Sequence, residues 1–135
     1  MLTRRDVLTR MATLLAGAVI RPRNLGALGL KPFEHPDPRP GITGEHVLPV
    51  EKLGKKKSVR ESFEAARTYP EIFDGLFCAC DCKGSMGHRS LLACYESEQP
   101  IGCMGCREEA ELVGKLAKEG KSLAEIRVAV DKEYG

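Results

Sequence analysis

The sequence predicts a mainly α-helical fold: a small cysteine-rich domain of four to five short helices that follows a disordered export signal and a linker. Two helix-capping motifs, apolar residues at helical spacing and the lack of long strand-like alternation predict this class. The chain has 135 residues, 5% of them aromatic and none of them tryptophan, so it can form at most one small domain with a thin core. All six cysteines fall within residues 78–106. A small domain with so many thiols relies on cross-links or a bound metal.

Residues 1–30 have the layout of an export signal. A basic segment with an arginine pair, Arg4 and Arg5, precedes an apolar run over residues 11–20 that is too short to span a bilayer. The pair resembles a twin-arginine signal, which implies export of a folded protein, often with its cofactor already loaded. We therefore expect a periplasmic or extracytoplasmic protein with the twin-arginine translocation machinery as a partner. An uncleaved signal serving as a membrane tether stays open, as does a basic amphipathic cytosolic helix.

Residues 31–57 are predicted to form an extended linker. Five prolines, three glycines and a run of three lysines leave no apolar periodicity for packing. The two histidines of this segment, His35 and His46, stand apart from other ligand-type residues. We expect both side chains to be solvated.

Charge argues against a nucleic-acid partner. Of the 21 basic and 19 acidic side chains, five basic and one acidic lie in residues 1–30, which leaves 16 basic and 18 acidic in the rest. A domain with this slightly negative balance has no electrostatic footprint for nucleic acid.

The domain is predicted to cover residues 58–135 and to begin with two helices. A Ser58–Glu61 capping box opens the first, which should end near Thr68 because a proline follows two residues later. Pro70 suits the first turn of a second short helix. That helix places apolar side chains directly before Cys78.

Three further helices complete the predicted domain. One short helix is expected over residues 90–96, and a longer one over residues 107–119, with Gly120 just past its end. A second capping box, Ser122–Glu125, opens the last helix, which ends at Tyr134. The inward positions of the last helix are Leu123, Ile126 and Val130.

Three alternating cysteines, Cys78, Cys80 and Cys82, indicate extended chain. Helical residues two apart point about 200° away from each other, whereas extended ones share a side at roughly 6.6 Å intervals. Gly84 and Gly87 supply the permissive backbone that a curved loop needs. Such a loop could bring neighbouring sulfur atoms onto one metal ion.

A second thiol pair, Cys103 and Cys106, lies where a loop meets a helix N-terminus. The unpaired N–H groups and the helix dipole lower thiol pKa there and favour the thiolate. Sulfur-rich ligation selects Zn(II), Cu(I) or an iron–sulfur centre, so the expected cofactor is a soft transition metal of unknown identity. Cys94 and His88 lie between the two clusters and could join either. The candidate metal ligands are Cys78, Cys80, Cys82, His88, Cys94, Cys103 and Cys106.

Two other interpretations of the cysteines stay open. They could form three structural disulfides, although bridges between cysteines two apart are strained and oxidising. They could also serve a thiol–disulfide oxidoreductase, in which one thiolate attacks a partner disulfide and a neighbouring cysteine resolves the product. His88 could bond to backbone instead of a metal, and Met86 could be packing. No catalytic triad, phosphate loop or carboxylate pair predicts another chemistry.

The cysteine motifs resemble the exported bacterial proteins named for a PCYCGC motif, also called CYCXC (seleno)proteins. The resemblance covers roughly residues 58–135. It rests on Pro70-Glu71-Ile72, Cys78, Cys80, Cys82, Gly87-His88, Cys94, Cys103, Cys106 and the segment from Gly120 to Arg127. The chain departs from the motif at Phe77, Ala79 and Asp81, where the motif has proline, tyrosine and glycine. A selenocysteine form of such proteins would imply redox chemistry.

The C-terminal third is also similar to the thioreductase subunit of cytochrome c maturation. In both, a CxxC precedes a helix, a Gly-Lys-Ser turn and a helix that ends in Tyr-Gly. This likeness implies a helical hairpin more than it implies haem delivery. The sequence as a whole predicts an exported metal carrier or sensor and not an enzyme. If it is an enzyme, we expect the oxidoreductase, with a redox protein as its partner.

Overall fold

The computed structural model describes residues 34–80, 84 and 86–135. The predicted export signal and Cys82 lie outside these residues. The described chain forms six α-helices and one 3₁₀ turn, with no strand, which confirms the predicted mainly helical class. The helices are α1 (Lys57–Thr68), α2 (Pro70–Asp74), α3 (Leu91–Tyr95), α4 (Gln99–Gly102), α5 (Met104–Lys118) and α6 (Leu123–Tyr134), and the 3₁₀ turn is Val50–Lys52. Of these, none is long and apolar enough to cross a bilayer.

The packing of α1 against α5 organises the core. Gly114 permits their close approach, because a Cβ atom there would lie 2.9 Å from Cβ of Ala65. Tyr95 of α3 packs its ring edge-on against Phe63 and Phe73, with centroid distances of 4.8 and 5.7 Å. All three rings are fully buried, so α3 is fixed between α1 and α2 by aromatic contacts.

The helix ends test the two capping motifs. The box at Ser122 and Glu125 is confirmed, since the Ser122 side chain accepts from Glu125 N and the Glu125 carboxylate accepts from Ser122 N. The Ser58 box was wrong. Lys56, which has extended backbone angles, is the residue that immediately precedes α1 and is its N-cap. Ser58 already lies inside α1 and cannot act as the N-cap.

Two helices differ from their predicted form. The one-turn helix α4 was not predicted, because four residues give no periodicity to detect. Helix α5 begins at Met104, three residues earlier than expected, and therefore contains Cys106 in its first turn with Cys103 as N-cap. The predicted position of this thiol pair at a helix N-terminus is confirmed.

Residues 34–48, which we call the strap, lie against the helical domain. Arg127 of α6 donates to the carbonyl of Pro36, and Arg67 of α1 donates to the carbonyl of Leu48, both at 2.7 Å. His35 is not solvated, and that prediction was wrong: its side chain is 6% exposed and its Nε2 donates to Asp131 at 3.1 Å. His46, with a side chain 71% exposed, is solvated as predicted.

Candidate metal centre

Four cysteines from two parts of the chain meet at the N-terminus of α5. Cys78 and Cys80 lie in non-helical chain after α2, whereas Cys103 is the N-cap of α5 and Cys106 lies in its first turn. The inner pair, Cys78 and Cys106, is 2% and 0% exposed, and its sulfur atoms are 3.8 Å apart. The outer pair, Cys80 and Cys103, is more accessible, and its sulfur atoms are 3.2 Å apart.

The backbone around the four thiols is held by specific bonds. Cys103 Sγ accepts from Cys106 N at 3.4 Å and so caps α5 with a sulfur atom. Tyr95 Oη donates to the Cys106 carbonyl at 2.8 Å. In the segment after α2, Phe77 N donates to Nδ1 of His35 at 3.1 Å, so the strap fixes the residue that precedes Cys78. The thiols are therefore positioned by the fold and not by each other alone.

Three of the thiols form a compact group. The sulfur atoms of Cys78, Cys80 and Cys106, which we call the three-thiol group, all lie within 4.8 Å of one another. Two sulfur atoms bound to one tetrahedral zinc ion at about 2.3 Å would stand about 3.8 Å apart. The inner pair already has that separation. The group could hold a soft metal ion with small side-chain movements.

Burial and sulfur neighbours set the acidity of the thiols. The Cys78 thiol and burial raise the pKa of Cys106 far above its ordinary value. Burial and the Cys103 thiol raise the pKa of Cys80 to about 12. Burial opposes ionisation of Cys103 too, but hydrogen bonds from Cys106 and Cys80 outweigh it and lower the pKa of Cys103 below the ordinary value. A bound cation would reverse the first two effects, because a coordinating thiol loses its proton.

A buried carboxyl group, Glu109, lies behind the centre and was missed by sequence reasoning. Its side chain is fully buried, and its Oε2 accepts from Ala79 N, between the first two cysteines of the motif, at 2.8 Å. Its Oε1 has no hydrogen-bond partner within the described residues. Burial raises the pKa of Glu109 to about 8. The spacing of Glu109 from Cys106, three residues along one helix, was the available signal.

The other predicted ligands among the described residues, His88, Cys94 and Cys103, do not join the three-thiol group. His88 Nδ1 lies 3.3 Å from Sγ of Cys94, so these two residues form a pair of their own. Cys94 is fully buried on α3. Cys103 contacts the group through Cys80 without belonging to it. Cys82 is outside the described residues, and its role as a ligand stays a prediction.

The family of the chain follows from its motifs and from a direct comparison. A protein-family model described as "protein of unknown function with PCYCGC motif" matches residues 37–135. The chain belongs to this family. The match confirms the resemblance seen in the cysteine motifs, and it begins well before residue 58, inside the strap. No curated protein and no solved structure matches the chain. In this PCYCGC-motif protein the motif cysteines Cys78 and Cys80 and the later CxxC form one centre.

Proposed function

We propose that this PCYCGC-motif protein is an exported metal carrier or sensor that binds one soft transition metal ion through Cys78, Cys80 and Cys106. The observation that carries the proposal is the three-thiol group, whose sulfur atoms lie within 4.8 Å of one another at a helix N-terminus. Thiolate ligands favour Zn(II) and Cu(I) over hard cations. Three thiolates leave one coordination position for a fourth ligand or for the molecule that receives the metal.

The positions and accessibility of the thiols support metal binding. The inner pair is buried and held at metal-ligand separation, while Cys80 is exposed and can take an ion from solution. The helix dipole of α5 stabilises negative charge at Cys106, which lies in the first turn. Metal binding would release two protons: the one that burial retains on Cys80, and the one that the Cys78 thiol and burial retain on Cys106.

Metal content of the purified protein tests the proposal. The full chain would be purified anaerobically without chelator and analysed for zinc, copper and iron, with a parallel count of reactive thiols. We expect about one equivalent of metal and thiols that react only after chelation. Cys80→Ser should lower the metal content, whereas His88→Gln, outside the three-thiol group, should keep it. A protein that holds no metal under these conditions, and takes none up on reconstitution, would not have the proposed function.

A second function is favoured by the outer pair. The Cys80–Cys103 sulfur separation of 3.2 Å is shorter than two ligands of one zinc ion would show, and it approaches the distance needed for a disulfide. Cys103 also has the lowered pKa expected of an attacking thiol. A thiol–disulfide oxidoreductase of this type would accumulate a mixed disulfide with its redox protein partner when the resolving cysteine is replaced. Thiols inert to alkylation near neutral pH would exclude it.

Export rests on residues 1–30 and is part of the same proposal. The arginine pair, Arg4 and Arg5, would direct the folded, metal-loaded chain to the twin-arginine translocation machinery. Replacing both with lysine should retain the protein in the cytoplasm, because the machinery recognises the arginine pair. If the double-lysine variant is exported at the parent level, the arginine pair does not direct export. The proposal of a metal site would still stand.

A further inference from the structure

Cys80 takes part in two different groups of sulfur atoms. Its Sγ lies with those of Cys78 and Cys106 inside the three-thiol group. The same Sγ lies 3.2 Å from Sγ of Cys103, which is not a member of that group. One sulfur atom therefore has two sets of partners, one suited to a metal ion and one suited to a covalent bond.

The two uses of Cys80 exclude each other. A metal ligand must be a thiolate, whereas a sulfur atom in a disulfide carries no negative charge. A disulfide has an S–S length of about 2.0 Å, so closing the present gap moves the outer sulfur atoms together by about 1 Å. Oxidation of Cys80 would leave two members of the three-thiol group, Cys78 and Cys106, for the metal, and two thiolates hold zinc far less tightly than three.

We propose that the centre is a redox-gated metal site, in which a low-molecular-weight disulfide converts Cys80 and Cys103 into a disulfide and so releases the metal ion. This inference rests on the proposed function, because the reduced protein must first bind a metal. It goes beyond that function by making metal binding and thiol–disulfide exchange two states of one centre. The substrate class is a small exposed disulfide, and the outer pair is where it reacts.

Accessibility supports the choice of the outer pair. Cys80 is exposed and Cys103 is half-buried, whereas the inner sulfur atoms are covered by the protein. Gly105 leaves room for Cys80 beside α5, since a Cβ atom there would lie 2.8 Å from its Sγ. A small reagent therefore reaches Cys80 before it reaches Cys78 or Cys106.

The exchange balances in two steps. The Cys103 thiolate attacks one sulfur atom of the reagent, forms a mixed disulfide and expels one reagent thiolate. Cys80, a thiolate of the proposed metal site, then attacks Sγ of Cys103 and expels the second reagent thiolate, so that the metal ion loses one ligand. The reagent gains two electrons and the two protein thiols lose them. The metal ion leaves with its oxidation state unchanged.

The test uses the full chain loaded anaerobically with one equivalent of zinc, an ion without redox chemistry of its own. The protein is equilibrated in buffers of increasing hydroxyethyl disulfide to mercaptoethanol ratio. A coloured chelator reports free zinc, and mass spectrometry maps the disulfides. We expect one zinc ion released per Cys80–Cys103 disulfide, and rebinding after reduction. Mercaptoethanol alone, the reagent control, should release none.

Cys103→Ser separates gating from binding. Serine can still accept from Cys106 N and cap α5, so the reduced variant should bind zinc as the parent does. Without the intramolecular partner, half-release should need at least about a tenfold higher disulfide-to-thiol ratio, because a tethered thiol acts at a millimolar or higher effective concentration.

Each outcome decides a different claim. A reduced parent that binds no zinc overturns the proposed function and the gating with it. A parent that binds zinc but retains it when Cys80 is oxidised, or that forms a disulfide between other cysteines, overturns the gating alone. A well-folded, reduced Cys103→Ser protein that cannot bind zinc would make Cys103 a ligand and also overturn it. The disulfide map of the parent decides the matter even if the variant fails to fold.

Discussion

At the scale of single residues, Gly105 decides how closely the segment that carries Cys80 can approach the N-terminus of α5. It lies between the cysteines of the CxxC, and a Cβ atom at this position would stand 2.8 Å from Sγ of Cys80. That distance is shorter than any ordinary contact of a methyl group. The start of α5 therefore supplies two thiols and also has room for the Cys80 side chain, because the residue between them is glycine.

Gly105→Ala should separate helix stability from metal affinity. Alanine favours a helix by about 1 kcal/mol over glycine, so the zinc-free protein should remain folded. The added methyl group displaces Cys80, and we expect zinc affinity to fall about tenfold, equivalent to about 1.4 kcal/mol. Competition with a chelator of known affinity measures the change. Gly102→Ala is the matched control, since a Cβ atom there contacts nothing within 4 Å. Equal affinity in both variants would refute the contact.

Glu109 gives the zinc-free protein a particular pH dependence. Its pKa is raised from the ordinary 4.5 to about 8 in the folded protein, with burial as the main cause. The folded state thus binds more protons than the unfolded state between these values, and the free energy of unfolding falls as pH rises from about 4.5 to about 8. Glu109→Gln keeps an acceptor for Ala79 N and should remove this fall.

Urea unfolding of the reduced, zinc-free protein at several pH values measures the effect of Glu109→Gln. The thiols titrate in both proteins, so the comparison isolates the carboxyl group. Glu111→Gln, on the exposed side of the same helix, is the control and should keep the parent pH dependence. If the Glu109→Gln variant also kept the parent dependence, Glu109 would not be responsible for it.

At the scale of elements, the strap shows what the sequence could not reveal. Helices were predictable because periodicity and capping are local, and the Ser122–Glu125 box was found in this way. The strap has no periodicity, and its contacts join residues far apart, such as His35 and Asp131 across 96 positions. Only the folded chain shows that His35 and the carbonyl of Pro36 bond to residues of α6.

Asp74 is the main anchor of the strap. Its carboxylate is fully buried and accepts from Arg39 through the backbone N–H and the guanidinium, at 2.8 to 3.1 Å. Arg89 and Ser90 donate to the same group at 2.7 and 2.9 Å. Despite burial, which acts in the opposite direction, these bonds lower the pKa of Asp74 to about 2.

Asp74→Asn should destabilise the fold by about 3 kcal/mol, because it leaves two guanidinium groups without a buried carboxylate. Asp37→Asn is the control, an exposed residue with the same change of charge, and should stay within about 0.5 kcal/mol of the parent. In the parent, the folded pKa is the lower one, so the Asp74 contribution is complete above about pH 4 and is lost as pH falls towards 2. A variant as stable as the control would mean that the strap is anchored elsewhere.

At the scale of the whole molecule, the centre joins parts of the chain that the sequence separates. Spacing predicted the place of the CxxC at a helix start, which is confirmed. It could not predict that Cys78 would meet Cys106 across 28 positions while Cys94 pairs with His88, because tertiary packing decides such partners. Which thiols meet therefore follows from the fold and not from their order along the chain.

Because Cys78 follows α2 and Cys106 belongs to α5, a metal ion bound to both resists the separation of these elements. A ligand that binds only the folded state stabilises it by about 2.7 kcal/mol at a free concentration of 100 times its Kd. For a domain of this size, that corresponds to a rise in Tm of about 10–20 °C.

Zinc should produce this rise in the reduced protein and a chelator should reverse it, whereas calcium, a hard cation, should have no effect. Cys106→Ser removes one side of the bridge and should abolish the zinc-dependent rise, even though serine can fill much of the same space. If zinc raises Tm equally in the parent and in Cys106→Ser, the ion does not link α2 to α5, and its site must be sought at other residues.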